Sequence, residues 1–108
     1  MVDTQTDTNI EINEIVTAIL NAVPALEIYL FGSFAKGTET DDSDYDFYVV
    51  IPDDGIRARE AAWNIRYSLP RQTRGIDMFV GTVSKFNKYK NVYSIENEVT
   101  ETGVRLYG

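Results

Sequence analysis

Gly32-Ser33-Phe34-Ala35-Lys36-Gly37, then Ser43-Asp44-Tyr45-Asp46-Phe47, and later Gly75-Ile76-Asp77-Met78-Phe79 decide how this chain is read. Leu26–Phe31 is a short apolar and aromatic run that reads as a strand bounded by Gly32-Ser33; Asp46–Ile51 and Gly75–Val80 read as two more. Side chains two apart on a strand share a face, so Asp44 and Asp46 are expected to point the same way. Asp77, on a neighbouring strand, would complete a cluster of three carboxylates. Such a cluster cannot stay fully ionised without a counter-charge, and oxygen-only ligands favour hard cations such as Mg²⁺ or Mn²⁺. Where a strand turns into a short helix, Gly32 and Ser33 offer backbone N–H groups and a hydroxyl to a phosphate. Carboxylates that hold metal beside a phosphate cradle are the parts needed for metal-assisted phosphoryl or nucleotidyl transfer.

Working outward, Thr8 and Glu11 stand as a capping box, and Ile12, Ile15, Val16, Ile19, Leu20 and Val23 follow at helical spacing until Pro24. Residues 1–8 are expected to be a flexible N-terminus, and 9–108 a single domain. Residues 34–43 read as a short helical turn and a polar loop. Asp53 or Asp54 is placed to cap a helix running through Arg57, Ala61, Ala62, Ile65 and Arg66 to about Ser68, before Pro70. After Gly81-Thr82, Val83, Phe86, Val92, Ile95 and Val99 keep helical spacing, with Gly103 as the stop. The predicted class is α/β, a small mixed sheet of at least three strands flanked by helices.

Composition narrows the chemistry further. The 108 residues leave room for one domain. With no cysteine and no histidine, disulfides, thiolate nucleophiles, Cys/His zinc sites and imidazole acid–base catalysis are excluded. The net charge of −7 is uneven: residues 1–54 hold 12 acids and one base (Lys36), whereas 55–108 hold 5 acids and 9 bases. That balance argues against a binder of duplex nucleic acid, because a phosphate backbone rewards a basic footprint. No stretch approaches a membrane span and the N-terminus lacks a basic region followed by an apolar one, so a cytoplasmic location is expected.

Competing readings fit less well. Asp42, Asp44 and Asp46 match the first ligands of an EF-hand loop, but Phe47 stands where its glycine belongs and Asp53 where its closing glutamate belongs. Gly32 and Gly37 imitate half a P-loop, yet Thr38 follows where lysine is required. An acidic run such as Glu39 to Asp46 is commonly just a solvated loop; Arg57, Arg59, Arg66, Arg71 and Arg74 could meet a triphosphate or an acidic partner, but a helix with exposed arginines is ordinary. Trp63 reads first as a packing residue. Tyr45, between two aspartates, must face away from them in a regular strand, which makes it a packing residue too.

Taken together, Gly32-Ser33, the ten residues that follow, Asp44-Tyr45-Asp46 and the strand-borne Asp77 resemble the signature of the DNA polymerase β-type nucleotidyltransferase superfamily. In its short length the chain resembles the minimal nucleotidyltransferase (MNT) branch. The resemblance runs from about Leu26 to Val80, and Val92–Tyr107 is similar to the closing helix of such domains. It implies a nucleotidyltransferase-like fold. Asp44 and Asp46 would bind both metals, and Asp77 would bind the catalytic metal and serve as or orient the base. Gly32, Ser33 and Lys36 would hold the nucleotide phosphates, with lysine at a position where many relatives carry arginine. The implied reaction is Mg²⁺-dependent (or Mn²⁺-dependent) transfer of a nucleoside monophosphate, foremost AMP from ATP, to a hydroxyl on a protein. The implied partner is a HEPN-type toxin, with this chain as the antitoxin. Larger relatives carry a helical domain that builds the acceptor site; here a partner protein or a second copy is expected to supply it. Two alternatives remain: a non-catalytic partner-binding module of the same fold, and a homodimeric nucleotidyltransferase acting on small molecules.

Overall fold

The computed structural model describes residues 4–108, so the start of the expected flexible N-terminus, residues 1–3, lies outside the described residues. In chain order the elements are α1 (Thr4–Ala22), β1 (Glu27–Phe31), α2 (Ser33–Lys36), β2 (Tyr45–Ile51), α3 (Ala58–Ser68), β3 (Ile76–Thr82), α4 (Val83–Tyr89), α5 (Ile95–Thr102) and β4 (Val104–Tyr107). The sheet order is β3-β2-β1-β4. β1 runs antiparallel to both β2 and β4, and β2 runs parallel to β3, with α3 as the crossover between them.

Alternation along the strands sorts their side chains onto two faces. Tyr45, Phe47, Val49 and Ile51 of β2 join Ile28 and Leu30 of β1 in a buried cluster with Ile12, Ile15, Ile19 and Val23 of α1 and Ala61 and Ile65 of α3. On the other face Tyr48 and Val50 pack with Phe31, Phe86 and Val99, under α4 and α5. Because both faces of β2 are covered, its last five residues are all buried and the strand is a continuous apolar run. The expected mixed α/β sheet is therefore present, with helices on both sides.

Three local expectations change. α1 begins at Thr4, so Thr8 lies inside the helix and is not its cap. The residue before α3 is Arg57, with no side-chain cap. Asp53 instead accepts hydrogen bonds from the Ser84 backbone N–H and hydroxyl at the start of α4. The segment expected to close the domain as a helix splits into α5 and a fourth strand, β4, which adds to the free edge of β1.

A polar tie locks α1 to the start of β2. Glu11 accepts from the Tyr45 hydroxyl (2.6 Å), the Thr73 N–H (2.8 Å) and the Thr73 hydroxyl (2.9 Å). Partial burial works against its charge, but these donors and Arg74 outweigh it and hold the carboxyl below its ordinary value. A lowered folded-state pKa contributes stability that is present above the unfolded value of 4.5 and is lost as pH falls through the folded one. Glu11→Ala, which leaves the buried Tyr45 hydroxyl without its acceptor, is expected to cost about 1–3 kcal/mol at pH 7. The gap to wild type should shrink below pH 4 in urea titrations; a gap independent of pH would show that the carboxylate charge plays no part.

Candidate active site

The heads of β2 and β3 and the end of β1 meet in one row. Phe31 pairs with Asp46, and Asp46 with Asp77. Parallel pairing in register puts these two aspartates side by side on one face. The Asp46 carboxyl is pushed up to about 6 by partial burial, then by the adjoining Asp77 side chain and by the charges of Asp77, Glu98 and Asp44. Asp44 stands one residue before β2, on the same parity as Asp46. It lies against Gly75, where a Cβ would come within 2.7 Å of Asp44 Oδ1. The structure thus gathers the expected residues unequally: Asp46 and Asp77 are adjacent and Asp44 flanks them. Among the described residues no three carboxylates close into a ready metal cage.

Gly32 follows Phe31 and has φ +71° and ψ −150°, a backbone conformation essentially restricted to glycine. A Cβ here would fall on Asp46 Oδ2. The glycine therefore does two things: it turns the chain into α2 and lets the Asp46 carboxylate pack directly against the backbone. Ser33 opens α2, and Lys36 ends it. Lys36 Nζ lies 3.5 Å from Glu98 Oε1 on α5, both side chains about half exposed. Two adjacent aspartates, with the Asp46 carboxyl raised, beside a bare glycine turn fit a hard divalent cation.

Three contributors were not legible in the roles they take here. Arg74 donates from one guanidinium nitrogen to the carbonyls of Thr40, Asp41 and Ser43 at 2.9, 3.1 and 3.0 Å. Its guanidinium also sits over the Phe34 ring, 4.9 Å from the centroid. One side chain thus clasps the loop that delivers Asp44 and braces α2. Glu98 brings a fourth carboxylate near Asp46, and Glu11 fixes Tyr45 between the two aspartates. No local pattern announces any of them, because each arrives from a distant part of the chain. Tyr45 is buried and faces away from the carboxylates, as alternation requires.

Beside Asp77, on the outer side of β3, a groove of about 440 Å³ runs between that strand and α3. No helix among the described residues is long and apolar enough to cross a membrane.

Comparison with known proteins agrees with this geometry. Residues 12–102 match the family model of the nucleotidyltransferase domain. Among solved structures, a chain of a toxin–antitoxin crystallised with AMP-PNP is 25% identical with a TM-score of 0.60; the match covers 89% of this chain and 72% of that one. A chain of a toxin–antitoxin MntA-HpeT mutant is 26% identical with a TM-score of 0.57, over 89% of this chain and 71% of that one. No curated protein sequence matches significantly.

Proposed function

The chain belongs to the nucleotidyltransferase domain family, and from that membership we propose that it transfers AMP from ATP to a hydroxyl on a protein partner, as the antitoxin of a toxin–antitoxin pair whose toxin is of the HEPN type. The observation that carries the reading is the row Gly32, Asp46, Asp77, a bare glycine turn against paired carboxylates. The AMP-PNP in one structural neighbour supports an adenine nucleotide as donor, and the toxin–antitoxin neighbours support a protein partner.

In this reading the backbone N–H groups after Gly32, the Ser33 hydroxyl and Lys36 bind the triphosphate. Asp46 and Asp77, with Asp44 beside them, would hold Mg²⁺ or Mn²⁺. The metal supplies Lewis-acid polarisation and lowers the pKa of the attacking hydroxyl. Asp77 takes the acceptor proton and passes it to water. The acceptor oxygen forms the new bond to the α-phosphorus as the bond to pyrophosphate breaks. Glu98, paired with Lys36, must give way to the phosphates or turn toward solvent; an exposed pair of this kind is worth only about 0–1 kcal/mol, so the rearrangement is cheap.

Calorimetric titration of ATP with Mg²⁺ tests the site. Wild type should bind, and Asp44→Asn/Asp46→Asn should lose that binding. Equal binding by both would remove the carboxylates from the nucleotide site. A non-catalytic binding module of the same fold would show no ATP binding and would keep its partner in both forms.

A further inference from the structure

The groove beside Asp77 is lined by Arg59, Trp63 and Arg66 of α3 and by Met78 and Phe79 of β3. Residues 59, 63 and 66 fall at i, i+4 and i+7, so they form one stripe, with the arginines about 10 Å apart along the helix. The opposite face of α3 is committed to the core through Ala61 and Ile65. Trp63 is 49% exposed and stacks on the still more exposed Tyr67, ring centroids 5.5 Å apart. Neither Arg59 nor Arg66 takes part in an ion pair among the described residues. β3 is an edge strand, so its outer side carries no strand partner.

Such a stripe is poorly explained as a solvated helix face. Tryptophan, tyrosine and arginine are the side chains enriched where proteins bind one another, and unpaired arginines beside an exposed indole are the kind of anchor that dominates such contacts. We infer that this groove docks an acidic polypeptide segment, its carboxylates on Arg59 and Arg66 and an aromatic or apolar side chain on Trp63. A polynucleotide fits less well, because its unbroken phosphates would run into Asp44, Asp46 and Asp77 at the groove's end, and the first half of the chain holds 12 acids against one base.

The placement also suits the reaction, and this part of the inference rests on the nucleotidyl-transfer reading. Attack at phosphorus is in line, with acceptor and departing pyrophosphate on opposite sides. Across the sheet the order is Gly32 after β1, Asp46 on β2, Asp77 on β3 and then the groove. Along the sheet the phosphate turn and the groove therefore lie on opposite sides of the carboxylates; Asp77 points to the sheet face away from α3, so a segment docked on α3 brings its hydroxyl to Asp77 around the free edge of β3.

Trp63 is the sole tryptophan of the chain, so its fluorescence reports on the groove directly. Wild type titrated with a glutamate–tyrosine copolymer should show a saturable change in Trp63 emission. Arg59→Ala/Arg66→Ala should weaken the response about tenfold while leaving calorimetric ATP binding unchanged. A lysine–tyrosine copolymer should give no response. An unresponsive Trp63, an equal response in the arginine variant, or equal binding of an oligothymidylate would each overturn the inference, the last in favour of a single-stranded nucleic acid. Intact docking without ATP binding would instead overturn the transfer reading alone.

Discussion

Asp46→Asn will abolish nucleotidyl transfer and, in the absence of metal, make the protein harder to unfold. The first effect follows from taking away the carboxylate at the centre of the row. The charge that fixes the metal and triphosphate is lost, and a fall of at least about 10³-fold is expected. The second follows from the like charges around it. Burial and the neighbouring carboxylates raise the Asp46 carboxyl from 3.8 to about 6. A carboxyl whose pKa is raised on folding penalises the folded state whenever it is ionised: the penalty is full above about pH 6 and fades as pH falls toward the unfolded value. Solvent screening of this partly exposed group reduces the effect to about 1 kcal/mol. Asparagine removes the charge and can donate an N–H to Asp77. Melting in EDTA at pH 8 should therefore show the variant about 5 °C above wild type, with the difference gone near pH 4. Mg²⁺ should raise the wild-type Tm and leave the variant's unmoved. A variant that melts below wild type at pH 8 would show that Asp46 is held by favourable contacts and not against repulsion.

The other large effect is expected at Gly32. Alanine there must adopt φ +71° and ψ −150° and place its Cβ on Asp46 Oδ2. The backbone strain alone is of the order of 1–3 kcal/mol, and relieving the clash displaces either the strand-to-helix turn or the aspartate. Either displacement spoils the phosphate site. Gly32→Ala is expected to lose about 2–4 kcal/mol in urea unfolding and to show no calorimetric ATP binding. Gly37→Ala provides the control. Gly37 also has a positive φ, +73°, but nothing lies within 4 Å of its Cβ position. It should cost about 1 kcal/mol and keep ATP binding. Equal loss of binding in both would mean that backbone strain, and not the close approach of Gly32 to Asp46, governs the site.

The central architecture is legible in the sequence because β1, β2 and β3 are short apolar runs with clear punctuation, and because Asp44-Tyr45-Asp46 announces its own alternation. β4 is not legible. Val104 to Tyr107 is only four residues, mostly exposed, and becomes a strand because the edge of β1 offers it partners. The start of α1 is hidden for a similar reason: Thr4 to Asn9 has no apolar period. At the site, residues carried by local motifs could be read, whereas those delivered by topology could not. Arg74 looks like any surface arginine until the loop at Thr40–Ser43 is folded over it. Trp63 reads as a core or interface residue, and the fold decides between the two: the α3 face that bears it has no strand or helix to cover it, since β3 ends the sheet.

The clasp made by Arg74 bears on how quickly the site can be used. A polar loop such as residues 37–44 would ordinarily sample many conformations, and ordering each residue costs about 1–2 kcal/mol of chain entropy. By holding three carbonyls of that loop, those of Thr40, Asp41 and Ser43, and resting on Phe34, Arg74 completes this ordering when the protein folds. On the nucleotidyl-transfer reading, an arriving nucleotide would meet a loop already ordered. Its capture is then expected to depend on encounter and on release of Lys36 from Glu98, and not on ordering of that loop.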